Sequence, residues 1–597
     1  MLKNILLPTM LVILSYGFWI SPDFKEISAG VAIFLFGMLS LEEGFKAFTG
    51  GSLEKILQKS TNKLYKSISF GIITTSIMQS SSLVSVLTIS FLSAGLIGLA
   101  QGIGIIFGAN IGTTTGAWLI AGFGLKVKIS AYAMPMLVFG VILIFQKSKS
   151  LKGIGYILAG LGFLFLGIHY MKDGFEAFKS TIDLASFSVT GLKGLFIFTG
   201  IGIFATVVMQ SSHATLVLII TALSVGQISY ENALALAIGA NIGTTITAII
   251  GSMSSNISGK RLAAAHLIFN LTTGLIAIIL IKQIMFSVEY ISNIVGIAPT
   301  DYSLKLALFH TIFNLIGVIV MVPFINKLVI FLEKTLKDKK STYAKIETSK
   351  YLNDSVLEFP STAIAAIKKE CQHLFNNAFE IIVHGINLRK KDVISSAPIH
   401  DIINHTFTDK IYDIDTFYNN KIKGIYGEII DFSTQAQSSM PKQYIEELYK
   451  IKLASRDIVE AIKDTKHLQK NLYKYSKSSN EYIKNEYNHI RKELAKVLRN
   501  IYIISTTPQD EESILLLSKT KLQIQKFDII ANGVLDNLIR NKYITNEMAT
   551  SLMNDSVYAN NIGNHMVSMA EVIFNNTNDM LINSEDIDEI LSKKGNV

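Results

Sequence analysis

The chain has 597 residues, 17% of them charged and 49% hydrophobic, with a formal net charge of +9 at pH 7. That length implies more than one domain. The positive excess comes with no nucleic-acid motif, so lysines near membrane ends account for it better than a nucleic-acid partner. A single cysteine, Cys371, excludes an intrachain disulfide and a cysteine-based metal centre.

The averages hide two unlike halves. Residues 1 to about 335 hold most of the glycines and the long apolar runs, with few charges. From Lys337 onward the chain is rich in Lys, Asp, Glu, Asn and Tyr, and the charged run Lys334 to Lys340 marks the change. The expected division is a membrane domain at 1–335, a linker at 336–349 and a soluble domain at 350–597. The run Ile5–Ile20 lacks a small-residue cleavage signature and more apolar spans follow it, so it reads as a retained helix.

Apolar spans follow near 4–20, 28–49, 101–123, 129–146, 153–171, 232–251, 262–281 and 304–331. Each is close to the ~20 residues that a spanning helix needs. Two further segments, 67–95 and 195–225, are interrupted near the middle by Gln-Ser-Ser. Each half is read as too short to cross alone, which predicts two re-entrant hairpins with polar tips buried in protein. With Met1 cytoplasmic, the loops 50–66, 147–152 and 252–261 carry Lys55, Lys59, Lys63, Lys66, Lys147, Lys149, Lys152, Lys260 and Arg261. The opposite side carries Lys25, Lys126, Lys128, Lys172, Lys179, Lys193 and Lys282. This positive-inside bias is weak; it places the soluble half in the cytoplasm and sends the two hairpins in from opposite faces.

The membrane half is duplicated. Met78-Gln79-Ser80-Ser81 and Gly108-Ala109-Asn110-Ile111-Gly112-Thr113-Thr114 return 131 residues later as Met209-Gln210-Ser211-Ser212 and Gly239-Ala240-Asn241-Ile242-Gly243-Thr244-Thr245. One helix earlier, Gly37 and Gly44-Phe45 return as Gly167 and Gly174-Phe175, with the offset one shorter. The repeats cover about 28–146 and 153–281, and duplicated polar motifs in apolar sequence point to a transporter binding site.

Gln and Ser at a helix break offer donors and acceptors without charge. Free backbone N–H groups at the break favour an oxyanion, and its oxygens suit a hard cation such as sodium. The bland reading, that Ser and Gln only hold helices together in lipid, ranks lower for two motifs at matched spacing than for one. Asn110, Thr113 and Thr114 share one helical face, as do Asn241, Thr244 and Thr245, with Thr247 nearby; the flanking glycines read also as a packing seam. His266 and Asn270, like His310 and Asn314, lie four apart in His-x-x-Phe-Asn. Interhelical hydrogen bonds supporting the hairpins are favoured over a two-histidine metal site, because no carboxylate accompanies them. No Lys, Arg, Asp or Glu lies in the hairpin centres. A neutral cavity carries an anion when cations bind with it, which argues against a fixed-charge channel.

At these residues the chain resembles the sodium/phosphate cotransporter family, which is marked by two Gln-Ser-Ser-Ser repeats, each followed by a Gly-Ala-Asn-Ile-Gly-Thr-Thr type helix. The resemblance covers most of 28–330. It implies an all-α polytopic membrane protein with inverted repeats that moves inorganic phosphate with sodium by alternating access. It assigns phosphate to Ser80, Ser81, Ser82, Ser211 and Ser212, with Asn110 and Asn241 beside them. It assigns sodium to Gln79, Gln210, Ser211, Thr244 and Thr247, with Thr113, Thr114 and Thr245 completing the set. His213 departs from the pattern, standing where the family usually has Ser; it either packs behind the tip or adds pH sensitivity.

The soluble half, with few prolines and helical apolar spacing, predicts a helical bundle. It resembles the PhoU-like domain of many bacterial members at Asp413-Ile414-Asp415-Thr416-Phe417-Tyr418, Arg456-Asp457-Ile458-Val459-Glu460 and Asp555-Ser556-Val557-Tyr558 with Ile562-Gly563-Asn564-His565. Asn560 and Asn561 fall where such domains commonly carry charge, so no metal beyond sodium is expected. The whole predicts a bacterial inner-membrane phosphate transporter with no cofactor and a cytoplasmic regulatory domain; a homodimer is left open. The rivals are an exporter of the same fold, a membrane-anchored phosphate sensor, and an intramembrane enzyme using Ser81 or Ser212. The enzyme reading lacks a general base in each repeat.

Overall fold

The computed structural model describes residues 2–49, 63–125, 129–181, 184–337, 346–405, 411–507, 511–525 and 533–575. The loop lysines Lys55, Lys59, Lys126 and Lys128, and linker residues 338–345, lie outside that set. Among the described residues all regular structure is helical, as the sequence predicts. The chain divides into two compact units: Met1–Lys339 with Asn353–Ser361, and Lys340–Leu352 with Thr362–Val597.

The first unit runs α1 (Leu2–Ile20), α2 (Pro22–Thr49), α3 (Leu64–Met78), α4 (Ser81–Ser93), α5 (Leu99–Leu119), α6 (Ile129–Ile144), α7 (Lys149–Thr181), α8 (Gly191–Met209), α9 (Ser212–Ser224), α10 (Tyr230–Gly243), α11 (Thr245–Ser252), α12 (Ile257–Ile279), α13 (Ile281–Val295), α14 (Tyr302–Met321) and α15 (Ile325–Thr335). Among the described residues, seven helical stretches are long and apolar enough to cross a membrane: Pro22–Phe45, Leu99–Gly124, Lys149–Lys179, Gly191–Met209, Tyr230–Ser252, Ile257–Ile279 and Tyr302–Thr335. The unit is therefore that of a multi-pass membrane protein. Among the expectations that fail is the short first arm: α8, the first half of the second hairpin, is 19 residues long and apolar enough to cross alone. Its sequence start lay hidden in the Gly191-Leu192-Lys193-Gly194 stretch, which reads as loop. Two spans expected to be continuous are broken, the one at 304–331 by a 3-10 turn at Val322–Phe324 around Pro323 and the one at 232–251 at Thr244. The amphipathic α13, with Ile284 and Val288 buried and Phe286 and Tyr290 exposed, has no counterpart in the predicted spans.

Glycine seams fix the layout. A Cβ on Gly108 would overlap the Ile68 carbonyl, and one on Gly112 would lie 2.7 Å from the Ile72 carbonyl, so α3 and α5 touch backbone to backbone. Both positions advance by four together, so the two helices run parallel. The chain must then turn back between them, and α4 is the returning arm. The same holds for α8 and α10, where Gly239 faces Thr199 and Gly243 faces Ile203. Both interrupted segments are thus hairpins.

The first helix of each repeat packs against the other in the opposite sense. Cβ atoms on Gly30, Gly37 and Gly44 of α2 would each lie 2.8 Å from the carbonyls of Gly167, Gly160 and Gly153 of α7. A shift of 130 residues carries the contact of Gly30 with Gly167 onto that of Gly160 with Gly37. Phe45, near the end of α2, packs on the cluster of hairpin one that includes Phe70, Met78, Leu87 and Phe91. Phe175, near the end of α7, packs on the open end of hairpin two with Ala222.

Asn353–Ser361 belongs to this unit as well. Ser90 of α4 donates to the Ser355 carbonyl at 2.6 Å, Val356 is fully buried, and Phe359 packs on the cluster built from Phe70, Leu87 and Phe91.

The second unit is a set of packed helices, including α16 (Pro360–Gly385), α17 (Lys442–Tyr475), α18 (Glu481–Thr506) and α19 (Asn546–Ile573). Arg491 is buried, and it donates to the carbonyls of Ile386 and Asn387 at 3.2 and 2.9 Å. Two of the motif stretches meet here. Asp457 of α17 accepts from Ser568 at 2.7 Å and faces His565 Nδ1 at 3.2 Å. The bond to Asp457 raises the His565 pKa against the lowering effect of burial. Burial would raise Asp457, but the bonds from His565 and Ser568 outweigh it and hold the carboxyl low.

Candidate functional site

The two hairpins break with one backbone. Gln79 ends α3 at φ 53° and Gln210 ends α8 at φ 52°, both left-handed. That region is uncommon for a residue with a Cβ and stops a helix within one residue. Ser80 (φ −139°) and Ser211 (φ −148°) follow in extended conformation. Each is an N-cap: Ser80 Oγ accepts from the Leu83 amide at 3.3 Å, and Ser211 Oγ from the Ala214 amide at 3.1 Å. The Gln-Ser pair therefore closes one helix and opens the next. It aims the positive ends of α4 and α9 at the tips.

Beyond the backbone the tips differ. In hairpin one, Gln79 Nε2 donates to Thr115 Oγ1 of α5 at 3.1 Å. Ser82 Oγ lies 3.2 Å from Thr247 Oγ1 of α11, and Thr247 itself donates to the Thr244 carbonyl at 2.8 Å. In hairpin two, His213 is 7% exposed and stacks on Phe34 with ring centroids 5.9 Å apart and planes at 12°. Its ring lies over Gly116 of α5, where a Cβ would overlap it. The same Cβ would lie 2.7 Å from Gln79 Oε1. The two tips therefore converge at Gly116, with Gln79 arriving from one hairpin and His213 from the other.

Of the residues singled out by sequence, Gln79, Ser82, Thr247 and His213 come together here, and Ser80 and Ser211 build the caps. Ser81 is half-buried, Ser212 is buried and Gln210 is exposed. Asn110, Thr113 and Thr114 are buried and donate to carbonyls of their own helix at 2.8 to 2.9 Å, and buried Thr245 donates across the break to the Ile242 carbonyl of α10 at 2.8 Å. Thr244 is buried at the break between α10 and α11. Asn241 is held elsewhere: its Nδ2 donates to Asn270 Oδ1 at 3.0 Å and to Asn314 Oδ1 at 3.1 Å. The two His-x-x-Phe-Asn motifs thus supply an interhelical amide network joining α10, α12 and α14. Beside it, the Nδ1 atoms of His266 and His310 and Nδ2 of Asn270 are buried without a partner. Thr115 and Gly116 were missed. The signal for them was in the sequence, because the 131-residue shift pairs them with Ile246 and Thr247, two departures directly after the matched Gly-Ala-Asn-Ile-Gly-Thr-Thr.

The fold and site define a class: a multi-pass helical membrane protein whose two halves each contribute a broken helix to a shared polar point. Residues 33–173 and 184–322, which make up most of the first unit, match the Na+/Pi-cotransporter family. The relative named "Putative inorganic phosphate export protein YjbB" in Escherichia coli (strain K12) is 27% identical over 366 residues, 61% of this chain and 64% of that protein. Its namesake in Salmonella typhimurium is 26% identical over 365 residues, with 60% and 64% covered. "Uncharacterized protein YqeW" of Bacillus subtilis (strain 168) is 27% identical over 305 residues, 50% of this chain and 94% of that protein. The chain thus spans just under two thirds of the length of the YjbB proteins. No solved structure matches.

Proposed function

We propose that the chain is a sodium-coupled transporter of inorganic phosphate in a bacterial plasma membrane, working by alternating access around inverted repeats. The observation that carries this reading is the convergence of two like-built tips on Gly116. Each tip brings a helix N-terminus, which attracts an oxyanion through its amides and dipole. Phosphate would lie on Ser80, Ser81, Ser82, Ser211 and Ser212. The tip side chains Gln79, Ser82, Thr115, Ser212, His213 and Thr247 hold no fixed charge. An anion there needs cations beside it, and the hydroxyl and amide oxygens of Gln79, Ser82, Thr244 and Thr247 suit sodium.

Antiparallel packing of the first helices supports rocking of one half against the other, with the hairpins as the moving gates. Export is the second reading, favoured by the name of the YjbB relatives; the same site serves either direction. The soluble unit would lie in the cytoplasm as a PhoU-like regulator. In support of regulation, the stretch that leads into α16 is seated on α4, the returning arm of hairpin one.

Labelled phosphate in proteoliposomes tests this. Accumulation driven by an inward sodium gradient supports coupled uptake, and release from loaded vesicles with no sodium-driven uptake supports export. Binding without flux in either direction would replace the transporter by a sensor.

A further inference from the structure

The repeats differ at the point where they meet. Under the 131-residue shift Ser82 corresponds to His213, and Gly116 corresponds to Thr247. The two contacts correspond as well: Ser82 reaches Thr247 of the other half, and His213 reaches Gly116 of the other half. One contact is a hydroxyl on a hydroxyl, and the other is an imidazole over a bare backbone. Either change alone would fail. Thr at 116 would place its Cβ inside the His213 ring, while Ser at 213 opposite Gly116 would leave a void.

We propose that His213 and Gly116 form one matched exchange, which fills the volume of the hydroxyl pair in the second half and leaves the transporter with a single hydroxyl pair for a coupling cation. The cation half of this rests on the sodium-coupled reading above; the packing half does not. Imidazole has a ring nitrogen but no oxygen, so this contact has lost both of the ligands a hard cation would take. Phe34, stacked on His213, holds the ring in place over Gly116. The asymmetry extends one residue further: Thr115 accepts from Gln79, whereas its counterpart Ile246 has no hydroxyl to offer Gln210. The chain should therefore couple fewer cations than one built with two equal tips.

The test is a cycle of Gly116→Thr, His213→Ser and the double variant, read by thermal unfolding in detergent and by phosphate flux against sodium concentration in liposomes. Gly116→Thr should unfold at lower temperature and lose flux by about tenfold or more, as overpacking of a closed site does. The double variant should regain the wild-type unfolding temperature and flux to within about threefold, as coupled neighbours do. Its sodium dependence should be steeper than wild type. If Gly116→Thr yields no protein, recovery of expression in the double variant supports the exchange in the same way. A double variant no better than Gly116→Thr overturns the matched exchange. Recovery with unchanged sodium steepness overturns the cation half alone. Wild-type flux that ignores sodium sinks the sodium-coupled reading and the cation half with it, while the unfolding cycle still decides the exchange.

Discussion

The tips of the two hairpins have the same backbone and different side chains. Left-handed Gln, extended Ser and an N-cap bond recur at 79–80 and 210–211, the glutamines agreeing in φ at 53° and 52°. Two positions beyond the cap serine, Ser82 and His213 have nothing in common. The difference separates what the duplicated fold requires from what each half is free to alter. The turn needs Gln-Ser to stop one helix and start another, and the glycine seams need bare backbone. The fourth position of the motif reaches a residue of the opposite half, so it can change when its partner changes with it.

The largest predicted effects fall on the shared part. Leucine at Gly108 or at Gly239 would drive a side chain into the carbonyl of Ile68 or Thr199, where only backbone lies. Each should cost more than about 4 kcal/mol and leave no monodisperse protein on size exclusion. Tolerance of one and not the other would show that the two seams are not equivalent. Next comes a pair in which the halves should part. Asn241 bonds Asn270 and Asn314, whereas Asn110 donates to the Ile106 carbonyl of its own helix. Asn241→Ala strands two buried amide oxygens and should cost about 2–3 kcal/mol; Asn110→Ala should cost about 1 kcal/mol. Equal losses in chemical denaturation would deny the amide network its role.

Much of this was legible in the sequence. Duplicated motifs at a fixed offset gave the hairpins and their breaks at Gln79 and Gln210, while of the His-Asn motifs the asparagines enter the interhelical network and the Nδ1 atoms of the histidines find no partner. Three things were not. The length of α8 was hidden because Gly191-Leu192-Lys193-Gly194 looks like a loop, yet it forms the first turn of the helix. The seating of Asn353–Ser361 was hidden because its residues, Asn-Asp-Ser-Val-Leu-Glu-Phe-Pro-Ser, carry no periodicity; only contact with α4 gives them a place. The meeting of Gly116 with His213 was hidden because a glycine in a Gly-rich helix reads as one more packing residue. Its meaning lies in what it faces, and the sequence offers that only through its broken match with Thr247.

Smaller effects test the shared caps. Ser80→Ala and Ser211→Ala each remove the oxygen that holds the third amide of the following helix. Each should cost about 1 kcal/mol of stability, and nearly the same in both halves. A gap wider than experimental error would mean that the tips differ in backbone energetics as well as in side chains.

The smallest effect belongs to the hydroxyl pair itself. Ser82 and Thr247 meet at 3.2 Å, and Thr247 has its proton on the Thr244 carbonyl, so Ser82 is the donor of the two. Removing either hydroxyl, by Ser82→Ala or Thr247→Val, removes one neutral hydrogen bond between half-buried groups. A double-mutant cycle on unfolding should give a coupling of about 0.5–1 kcal/mol. The informative comparison is the same cycle with sodium present. If the pair takes the cation, sodium should raise the stability of wild type more than that of either single variant, and the measured coupling should grow with sodium concentration. A coupling that stays constant would leave the pair as an ordinary interhelical bond, and the two tips would then differ in packing alone.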